Sequence, residues 1–424
     1  MYKFKSIDGK IDIKSKMLIL WFSELFILTI LRFILARLGY NQGIFRNSLI
    51  WIVSFLPLVY FLLNISKLKI KDYLPFIFLI LTVILIMLIS ILLNPALTKF
   101  FIREGYGIDR ILRPDCAIFA FLFIYMFNDP KQLIKILIFY AYIYFIYLVI
   151  LQLLPALKRG YWVDIGPDGK ELKLRYNLSF GYAVSFPTIV FLYESIKYKK
   201  MHSYVFFVFG LWILLTQGNR GAVLIVFAYI FLLILKNSKN TRYYLLKFVV
   251  MLFVLIILYL YGNNIIIFIA RQLSNLGIES RNIDKILNGS FTENNGRDLI
   301  WSTVIKAIKN GGILGYGMLG DRPFVFPIHY AGFSHNIFLE LIVSFGIFGF
   351  FIILYLAYII IRMLFFCRDE NWLDIFIILL SCSAQLLLSM SFWYVWQFWA
   401  ALAVSSKYIR LKNNNWLLFK IWNY

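Results

Sequence analysis

Long apolar runs recur along this chain from Met17 to Ser406, and they constrain its fold more than any other feature. Of the 424 residues, 62% are hydrophobic and only 15% are charged, which is far from the composition of a soluble globular domain. A run of about 20 apolar residues is long enough to cross a bilayer as an α-helix. The sequence therefore predicts an all-α, polytopic membrane helix bundle.

About twelve segments have the length expected of a membrane span. They lie at 17–37, 48–65, 73–93, 114–128, 131–155, 178–196, 202–217, 221–236, 243–262, 337–362, 372–390 and 392–406. The predicted organisation is nine transmembrane helices within residues 1–262, a large loop at 263–336, and three more helices within residues 337–424.

The short connections between alternate spans are basic, and this pattern predicts the orientation. If the N-terminus is cytoplasmic, each inner connection carries Lys or Arg, as the positive-inside rule requires. These residues are Lys67, Lys69, Lys71, Lys197, Lys199, Lys200, Lys236, Lys239, Arg242, Arg362 and Arg368, followed by Lys407, Arg410 and Lys412 in the tail. Both termini are therefore expected inside, and the loops 94–113, 156–177 and 263–336 are expected outside.

The three outer loops are also basic, against the usual bias. They carry Arg103, Arg110, Arg113, Lys158, Arg159, Lys170, Lys173, Arg175, Arg271, Arg281, Arg297 and Arg322. One interpretation is that long loops escape the rule, which weighs mainly short connections. The other is an anionic ligand at the membrane surface, such as a phosphate-bearing lipid head group, because the arginine fork pairs phosphate oxygens two at a time.

Arg220 lies between two apolar runs of only about sixteen residues each. Helices of that length reach roughly 24 Å, less than the ~30 Å hydrocarbon core, so the tip between them is expected below the outer surface. A charge there is costly unless it is paired or hydrated, which makes it a candidate functional residue. The alternative is a structural ion pair with Glu24 or Glu194.

The stretch from Asn295 to Phe351 concentrates unusual polar residues at a membrane boundary. Apolar positions at helical spacing predict an amphipathic helix from Arg297 to Lys309, which Asn310-Gly311-Gly312 ends. Arg297 would stand at its N-terminus, where backbone N–H groups attract anions. The alternative is a solvated loop arginine.

His335 is the histidine that stands at the mouth of a predicted span, one turn before Glu340. A near-neutral imidazole can take a proton from an attacking hydroxyl, and a nearby carboxylate could orient it. The alternative is a structural or helix-capping histidine. No metal-binding spacing, Walker loop or Gly-x-Ser-x-Gly elbow occurs in the sequence, so no cofactor, metal or nucleotide is expected.

Three pieces of the chain together resemble the bacterial O-antigen polymerase and O-antigen ligase family of membrane glycosyltransferases. The first, Thr216 to Gly221, is similar to the family's Thr-x-Ser-Arg-Gly hairpin, with Asn219 in place of Ser. The second is Gly296-Arg297 with Trp301 and Gly315-Tyr316-Gly317. The third is Ser334-His335-Asn336 with Glu340, Gly346 and Gly349, and Arg175 ahead of Phe180 and Pro187 is a weaker match.

This resemblance implies a GT-C-like bundle that transfers a glycan from an undecaprenyl-diphosphate donor on the outer face of the bacterial inner membrane. His335 would be the catalytic base, and Arg220, Arg297 and Arg175 would bind the diphosphate. Asn336, Glu340 and Trp301 would support them. Membrane lipid is an implied partner, with a chain-length regulator and a flippase as further ones; nucleic acid is not.

The acceptor distinguishes two reactions within the family. A polymerase adds to the hydroxyl of another lipid-linked repeat unit, and a ligase adds to lipid A core. The polymerase of a surface polysaccharide is preferred here because the chain is aromatic-rich and idiosyncratic outside the motifs. A flippase for lipid-linked oligosaccharides is the alternative from another class, but it has no need of the long loop 263–336.

Overall fold

The computed structural model describes residues 12–40, 44–103, 106–165, 171–174, 177–216, 220–238, 271, 297–329 and 332–421. Their regular structure is helical apart from one antiparallel pair of short strands. Five of the described helices are long and apolar enough to cross a membrane, and three shorter apolar helices accompany them. The prediction of an all-α polytopic membrane fold is confirmed; the predicted span at 243–262 lies outside the described residues.

The chain divides into two compact units. The first comprises Met1–Tyr140, Arg297–Leu380 and Leu386–Tyr424, and the second comprises Ala141–Gly296 and Ser381–Gln385. The α-helices are Ile13–Arg37, Ile44–Ser54, Leu56–Leu63, Leu74–Leu93, Thr98–Phe101, Ile108–Ile111, Phe119–Tyr125, Pro130–Leu148, Leu154–Arg159, Leu178–Tyr198, Met201–Thr216, Arg220–Ser238, Arg297–Asn310, Arg322–Val325, Ile337–Phe366, Glu370–Ser383 and Trp396–Ile421. Short 3-10 turns lie at Ile65–Lys67, Ile70–Asp72, Pro95–Leu97, Ala384–Leu387 and Phe392–Tyr394, and a π-helical turn lies at Val149–Leu153.

Prolines and buried apolar residues account for two differences from the predicted spans. The run at 48–65 forms two helices that meet at Phe55, with Pro57 in the first turn of the second helix. Proline is accepted there because it lacks only an N–H that the first turn leaves unbonded, whereas a continuous helix through it would lose a bond and meet a clash.

The predicted span at 114–128 is not one continuous helix. Only Phe119–Tyr125 is α-helical, about 10 Å of helix, and all seven side chains are buried. This short helix packs against Ile13–Arg37 and Trp396–Ile421 of the same unit. The run is apolar because it lies in the protein core, and an apolar sequence alone does not distinguish core from lipid contact.

One end of the first unit is held by a buried ion-pair cluster around Asp72. Its carboxylate accepts from Lys14 Nζ at 2.7 Å and from Lys407 Nζ at 3.0 Å. Burial raises the pKa of Asp72, but the two ammonium groups outweigh it and hold the pKa below its ordinary value. Lys14 also donates to the Met126 carbonyl at 2.8 Å. The segments predicted on the cytoplasmic side therefore meet at one end.

Segments predicted on the outer side meet elsewhere in this unit. Met318 N donates to Ser90 Oγ at 2.8 Å, at the far end of the helix Leu74–Leu93 from Asp72. Tyr394 Oη donates to the Tyr106 carbonyl at 2.7 Å. The first contact joins the loop around 318 to the end of the helix Leu74–Leu93, and the second joins the connection after residue 387 to the connection after residue 93.

The second unit contains the pair of short strands and the apolar helices Met201–Thr216 and Arg220–Ser238. Strand Trp162–Ile165 pairs antiparallel with Glu171–Leu174. The helix Met201–Thr216 has 16 residues, as the short apolar run predicts. Close packing requires glycine at two positions here: a Cβ on Gly210 would lie 2.3 Å from Thr188 Oγ1, and one on Gly221 would lie 2.1 Å from Tyr182 Oη.

Candidate active site

An amphipathic helix, here called the loop helix, runs from Arg297 to Asn310 and confirms the predicted helix. Its buried face, with Ile300, Val304 and Ala307, packs against Val325 and Val343. The helix ends at the predicted Asn-Gly-Gly sequence, where Gly312 has a φ of +67°. Apolar periodicity and the glycine stop thus account for the buried face and the end of the helix, whose first residue is Arg297.

The turn after the loop helix is attached to a break in the membrane helix Ile337–Phe366, here called the broken helix. At Gly346 the broken helix leaves helical geometry, with φ 54° and ψ −125°. The exposed backbone groups find partners in the turn: Tyr316 N donates to Val343 O at 3.0 Å and Gly317 N to Ser344 O at 2.7 Å. In return, Ile347 N donates to Ile313 O at 2.9 Å.

The close approach of these two backbones explains why glycine stands at Gly315 and at Gly346. A Cβ on Gly346 would lie 2.0 Å from Ile313 O, and one on Gly315 would lie 2.6 Å from Gly346 N. Both contacts are with backbone, which cannot swing aside. Non-helical backbone at membrane depth is tolerated where protein satisfies it, and the turn supplies that satisfaction.

Asp321, four residues after this turn, fixes the chain immediately before His335. Its Oδ2 accepts from Ser334 N at 2.8 Å and from Ser334 Oγ at 2.7 Å. Both carboxylate oxygens also accept from Arg322 Nη1, at 2.8 and 2.9 Å. One buried carboxylate therefore joins the loop at 321–322 to the entry of the broken helix.

Arg322 completes a buried polar network with Glu340. Its Nη2 lies 3.5 Å from Glu340 Oε1 and 3.3 Å from Ser391 Oγ, and Ser391 Oγ donates to Glu340 Oε1 at 2.5 Å. The Arg322 side chain is 1% exposed. Burial lowers the pKa of Arg322, but the charge of Asp321 leads the interactions that hold it above its ordinary value, so the guanidinium stays charged. Glu340 thus bonds Arg322 and Ser391.

His335 is buried and backbone-strained at the mouth of the broken helix. Its φ is +53°, in the left-handed region that non-glycine residues seldom adopt. The imidazole packs edge-on to His329, with ring centroids 5.2 Å apart, and lies 4.5 Å from the Phe333 ring. Among the described residues, none bonds Nδ1. Buried polar atoms are normally satisfied, so a free Nδ1 is a site that a ligand proton can occupy.

Burial, with a smaller contribution from nearby charged groups, keeps this imidazole neutral. Burial lowers the pKa of His335 to about 3, and the charges of His329, Arg297 and Arg322 act in the same direction. Arg297 and Arg322 therefore lie close enough for their charges to act on His335. This is the one predicted pair that the described structure brings together: the arginine at the start of the loop helix and the histidine.

Asn336 and Trp301 have structural contacts. Asn336 Oδ1 accepts from Phe338 N at 3.0 Å and Leu339 N at 3.1 Å, so it is the N-cap of the broken helix. Trp301 packs against the buried face of the loop helix. Its indole Nε1 is buried and has no bonding partner within the described part of the chain.

Two predicted arginines are described only partly or not at all. Arg220 is the first residue of the helix Arg220–Ser238, directly before Gly221, and its side chain lies outside the description. Arg175 lies outside the described residues altogether. Glu194, one of the proposed partners of Arg220, bonds Lys200 Nζ and Tyr142 Oη, each at 2.7 Å.

Sequence reasoning did not single out Asp321, Arg322 or His329. Arg322 was counted among the outer cations, and its position directly after an acidic residue was the available signal. Its partners Glu340 and Ser391 lie 18 and 69 residues away, and no local pattern joins them. Within the described ranges, no group of three or more His, Cys, Asp or Glu residues is placed to hold a metal ion.

Comparison with known proteins gives one family. Residues 205–354 match the family model described as O-antigen ligase, a segment of about a third of the chain that contains Arg220, the loop helix, His335 and the break at Gly346. The comparisons with curated proteins and with solved structures gave no match.

Proposed function

We propose that this membrane protein is a surface-polysaccharide glycosyltransferase, because residues 205–354 match the family model described as O-antigen ligase. It transfers a glycan from undecaprenyl diphosphate to the hydroxyl of an acceptor lipid-linked repeat unit. The observation that carries the proposal is His335, a buried neutral imidazole whose Nδ1 bonds none of the described residues and on which the charges of two arginines in the matched segment act.

In the proposed reaction His335 is the base. The acceptor hydroxyl attacks the anomeric carbon of the donor sugar, its proton passes to the imidazole, and the bond between that carbon and the diphosphate oxygen breaks. A base must be unprotonated before the reaction, and the low pKa of His335 meets that requirement at any physiological pH. The donor is already activated, so the step needs neither metal nor nucleotide.

Arg297 binds the leaving diphosphate in this proposal. It stands at the N-terminus of the loop helix, where the helix dipole adds to its own charge. Arg220, also at a helix N-terminus, and Arg175 join the diphosphate site on the strength of the sequence motifs. Positive groups aimed at a leaving oxygen stabilise the negative charge that develops there in the transition state.

Substrate binding would also strengthen the base. Arg297 and Arg322 lower the pKa of His335 in the free protein. A diphosphate bound to Arg297 brings negative charge to the same place, and a nearby negative charge favours the protonated imidazole. The pKa of His335 should therefore rise toward neutrality when the donor binds, which is the direction that improves proton transfer at neutral pH.

The polymerase is proposed ahead of the ligase, and one strain separates the two reactions. Deletion of the gene, followed by gel analysis of the surface glycan, should leave single repeat units on the lipid carrier. Long chains left on the carrier would identify the ligase reaction with lipid A core as acceptor. Normal glycan in the deletion strain would contradict both.

We further propose the inner membrane as the location, with both termini in the cytoplasm and residues 263–336 outside. Single cysteines at Lys309 and Lys412, which are exposed positions, test this in a background without the three buried native cysteines. An impermeant thiol reagent should label the position 309 variant in spheroplasts and leave the position 412 variant unlabelled. The reverse pattern would invert the topology.

A further inference from the structure

Two outer arginines outside the proposed donor site rest on a continuous set of aromatic rings. Arg103 Cζ lies 4.0 Å from the centroid of Phe326 and 5.0 Å from that of Tyr106. Arg110 Cζ lies 5.6 Å from the centroid of Tyr394. Ring faces attract guanidinium groups, so these contacts hold the two exposed charges in place.

These rings, Tyr106, Phe326, Phe333 and Tyr394, are here called the aromatic wall, and the wall reaches His335. Tyr106 and Phe326 centroids are 5.4 Å apart, and Tyr394 Oη bonds the Tyr106 carbonyl. Tyr394 lies 6.1 Å from Phe333, whose ring is 4.5 Å from that of His335. The aromatic wall therefore connects the two exposed arginines to the buried imidazole of His335, and the buried Arg322 lies against Phe333 and Tyr394 of the same wall.

Arg103 and Arg110 are exposed, and neither forms an ion pair with any described carboxylate. Of the described acidic neighbours on the same segment, Asp115 binds Arg113 at 2.5 Å, and the charge of Asp109 acts on Arg113. Two exposed guanidinium groups that pair with no described carboxylate are suited to bind an anion.

The height of these arginines relative to the bilayer identifies the kind of anion. The preceding helix ends with Leu92 and Leu93, which are 79% and 73% exposed, and Ile102 beside Arg103 is 75% exposed. Apolar side chains this exposed in a membrane protein contact lipid, so Arg103 lies where the apolar surface ends. The phosphates of a lipid-linked glycan are confined to that boundary, whereas acidic sugars extend beyond it.

We propose that Arg103 and Arg110 bind the phosphate group of the lipid-linked acceptor, while Arg297 and its partners hold the diphosphate of the donor. The inference rests on the proposed glycosyl transfer, in which both substrates carry a polyprenyl diphosphate. The acceptor hydroxyl would then approach His335 from the aromatic wall, the side opposite to the leaving group.

The test counts polyprenyl diphosphate sites on the full-length protein in phosphatidylcholine nanodiscs, with farnesyl diphosphate as the probe and calorimetry as the readout. The wild type should bind two equivalents. Combined Arg103→Gln and Arg110→Gln should weaken one equivalent at least ~10-fold, since charged hydrogen bonds contribute ~1.5–3 kcal/mol each, and leave the other unchanged. Lys173→Gln is the matched control, because Lys173 is also an exposed outer cation over an aromatic ring, Tyr161 at 5.0 Å.

One equivalent in the wild type, or two unchanged equivalents in the double variant, would overturn the inference. If the double variant does not fold, the single variants are measured, and each should weaken the same equivalent. Displacement of that equivalent by phosphatidylglycerol in the nanodisc would assign the site to ordinary phospholipid and also refute it. His335→Ala should keep both equivalents and lose transfer; active His335→Ala would refute the base assignment and leave the site count standing.

Discussion

Replacing Gly346 with alanine should detach the loop from the broken helix, and Gly312→Ala is its matched control. Both glycines have positive φ, +54° and +67°, so both substitutions strain an L-residue: by roughly 1–2 kcal/mol at Gly312, and by at least as much at Gly346, whose ψ of −125° lies outside the left-handed α region. They differ in space. A Cβ on Gly312 meets nothing within 4 Å, whereas a Cβ on Gly346 would lie 2.0 Å from Ile313 O.

The extra loss follows from the bonds that this clash breaks. Three backbone hydrogen bonds, made by Tyr316 N, Gly317 N and Ile347 N, join the turn to the break. At about 1 kcal/mol net each, Gly346→Ala should cost about 3 kcal/mol beyond Gly312→Ala, a factor of roughly 100 in the unfolding equilibrium. Because Asp321 and Arg322 follow the turn, Gly346→Ala should also reduce transfer.

The measurement is the free energy of unfolding in mixed micelles, titrated with sodium dodecyl sulfate for the wild type and both variants. Gly312→Ala should stay within about 2 kcal/mol of the wild type, and Gly346→Ala should fall well below it. Equal losses in the two variants would refute the account of the broken helix, because they would show that the turn contributes no stability through it.

Further predictions concern the charges. Arg297→Lys and Arg220→Lys should each impair transfer severely, because lysine lacks the two-pronged guanidinium group. The variant with alanine at both positions should be little less active than the less active of the two single alanine variants. Additive losses in kcat/KM would mean two independent anion sites. Asp321→Asn should lower the free energy of unfolding by ~3–5 kcal/mol, since it leaves buried Arg322 partly uncompensated; an unchanged unfolding titration would contradict this. The depressed pKa of Asp72 contributes stability that is complete above its unfolded pKa near 4 and is lost as pH falls through the lower folded pKa. Asp72→Asn should therefore weaken the fall in the free energy of unfolding below pH 4. An unaltered fall would count against the ion-pair cluster. Because the pKa of His335 is about 3 in the free protein, the pH profile of kcat/KM should show no inflection from this group near pH 6.5. Arg297→Gln removes a charge that lowers this pKa, so it should move the acid limb of the profile to higher pH. An unmoved acid limb would show that the charge of Arg297 does not act on His335.

The sequence predicted those helices whose course depends on neighbouring residues in the chain. The loop helix was predicted almost to the residue because apolar periodicity and an Asn-Gly-Gly stop are properties of neighbouring residues. The segment 114–128 was expected as one continuous helix, but only Phe119–Tyr125 is α-helical. Its side chains are buried in the protein core, which accepts an apolar run as readily as a bilayer does.

Contacts between residues far apart in the chain could not be predicted from the sequence. Glu340 was expected beside His335, one turn away, but the structure bonds it to Arg322 and Ser391. The break at Gly346 also looked like part of a continuous span, because the groups that satisfy it lie about thirty residues earlier in the turn at 313–317. Charge pairing and backbone docking of this kind depend on which segments the fold brings together.

The central claim is that His335 removes the proton of the acceptor hydroxyl. Its most direct test is the rate of glycan transfer between purified lipid-linked repeat units by the wild type and by His335→Ala in nanodiscs, with farnesyl diphosphate binding measured on the same preparations. The account predicts that kcat falls by ~10²–10⁴-fold while diphosphate binding is unchanged. A kcat within a few-fold of the wild type, with binding intact, would contradict it.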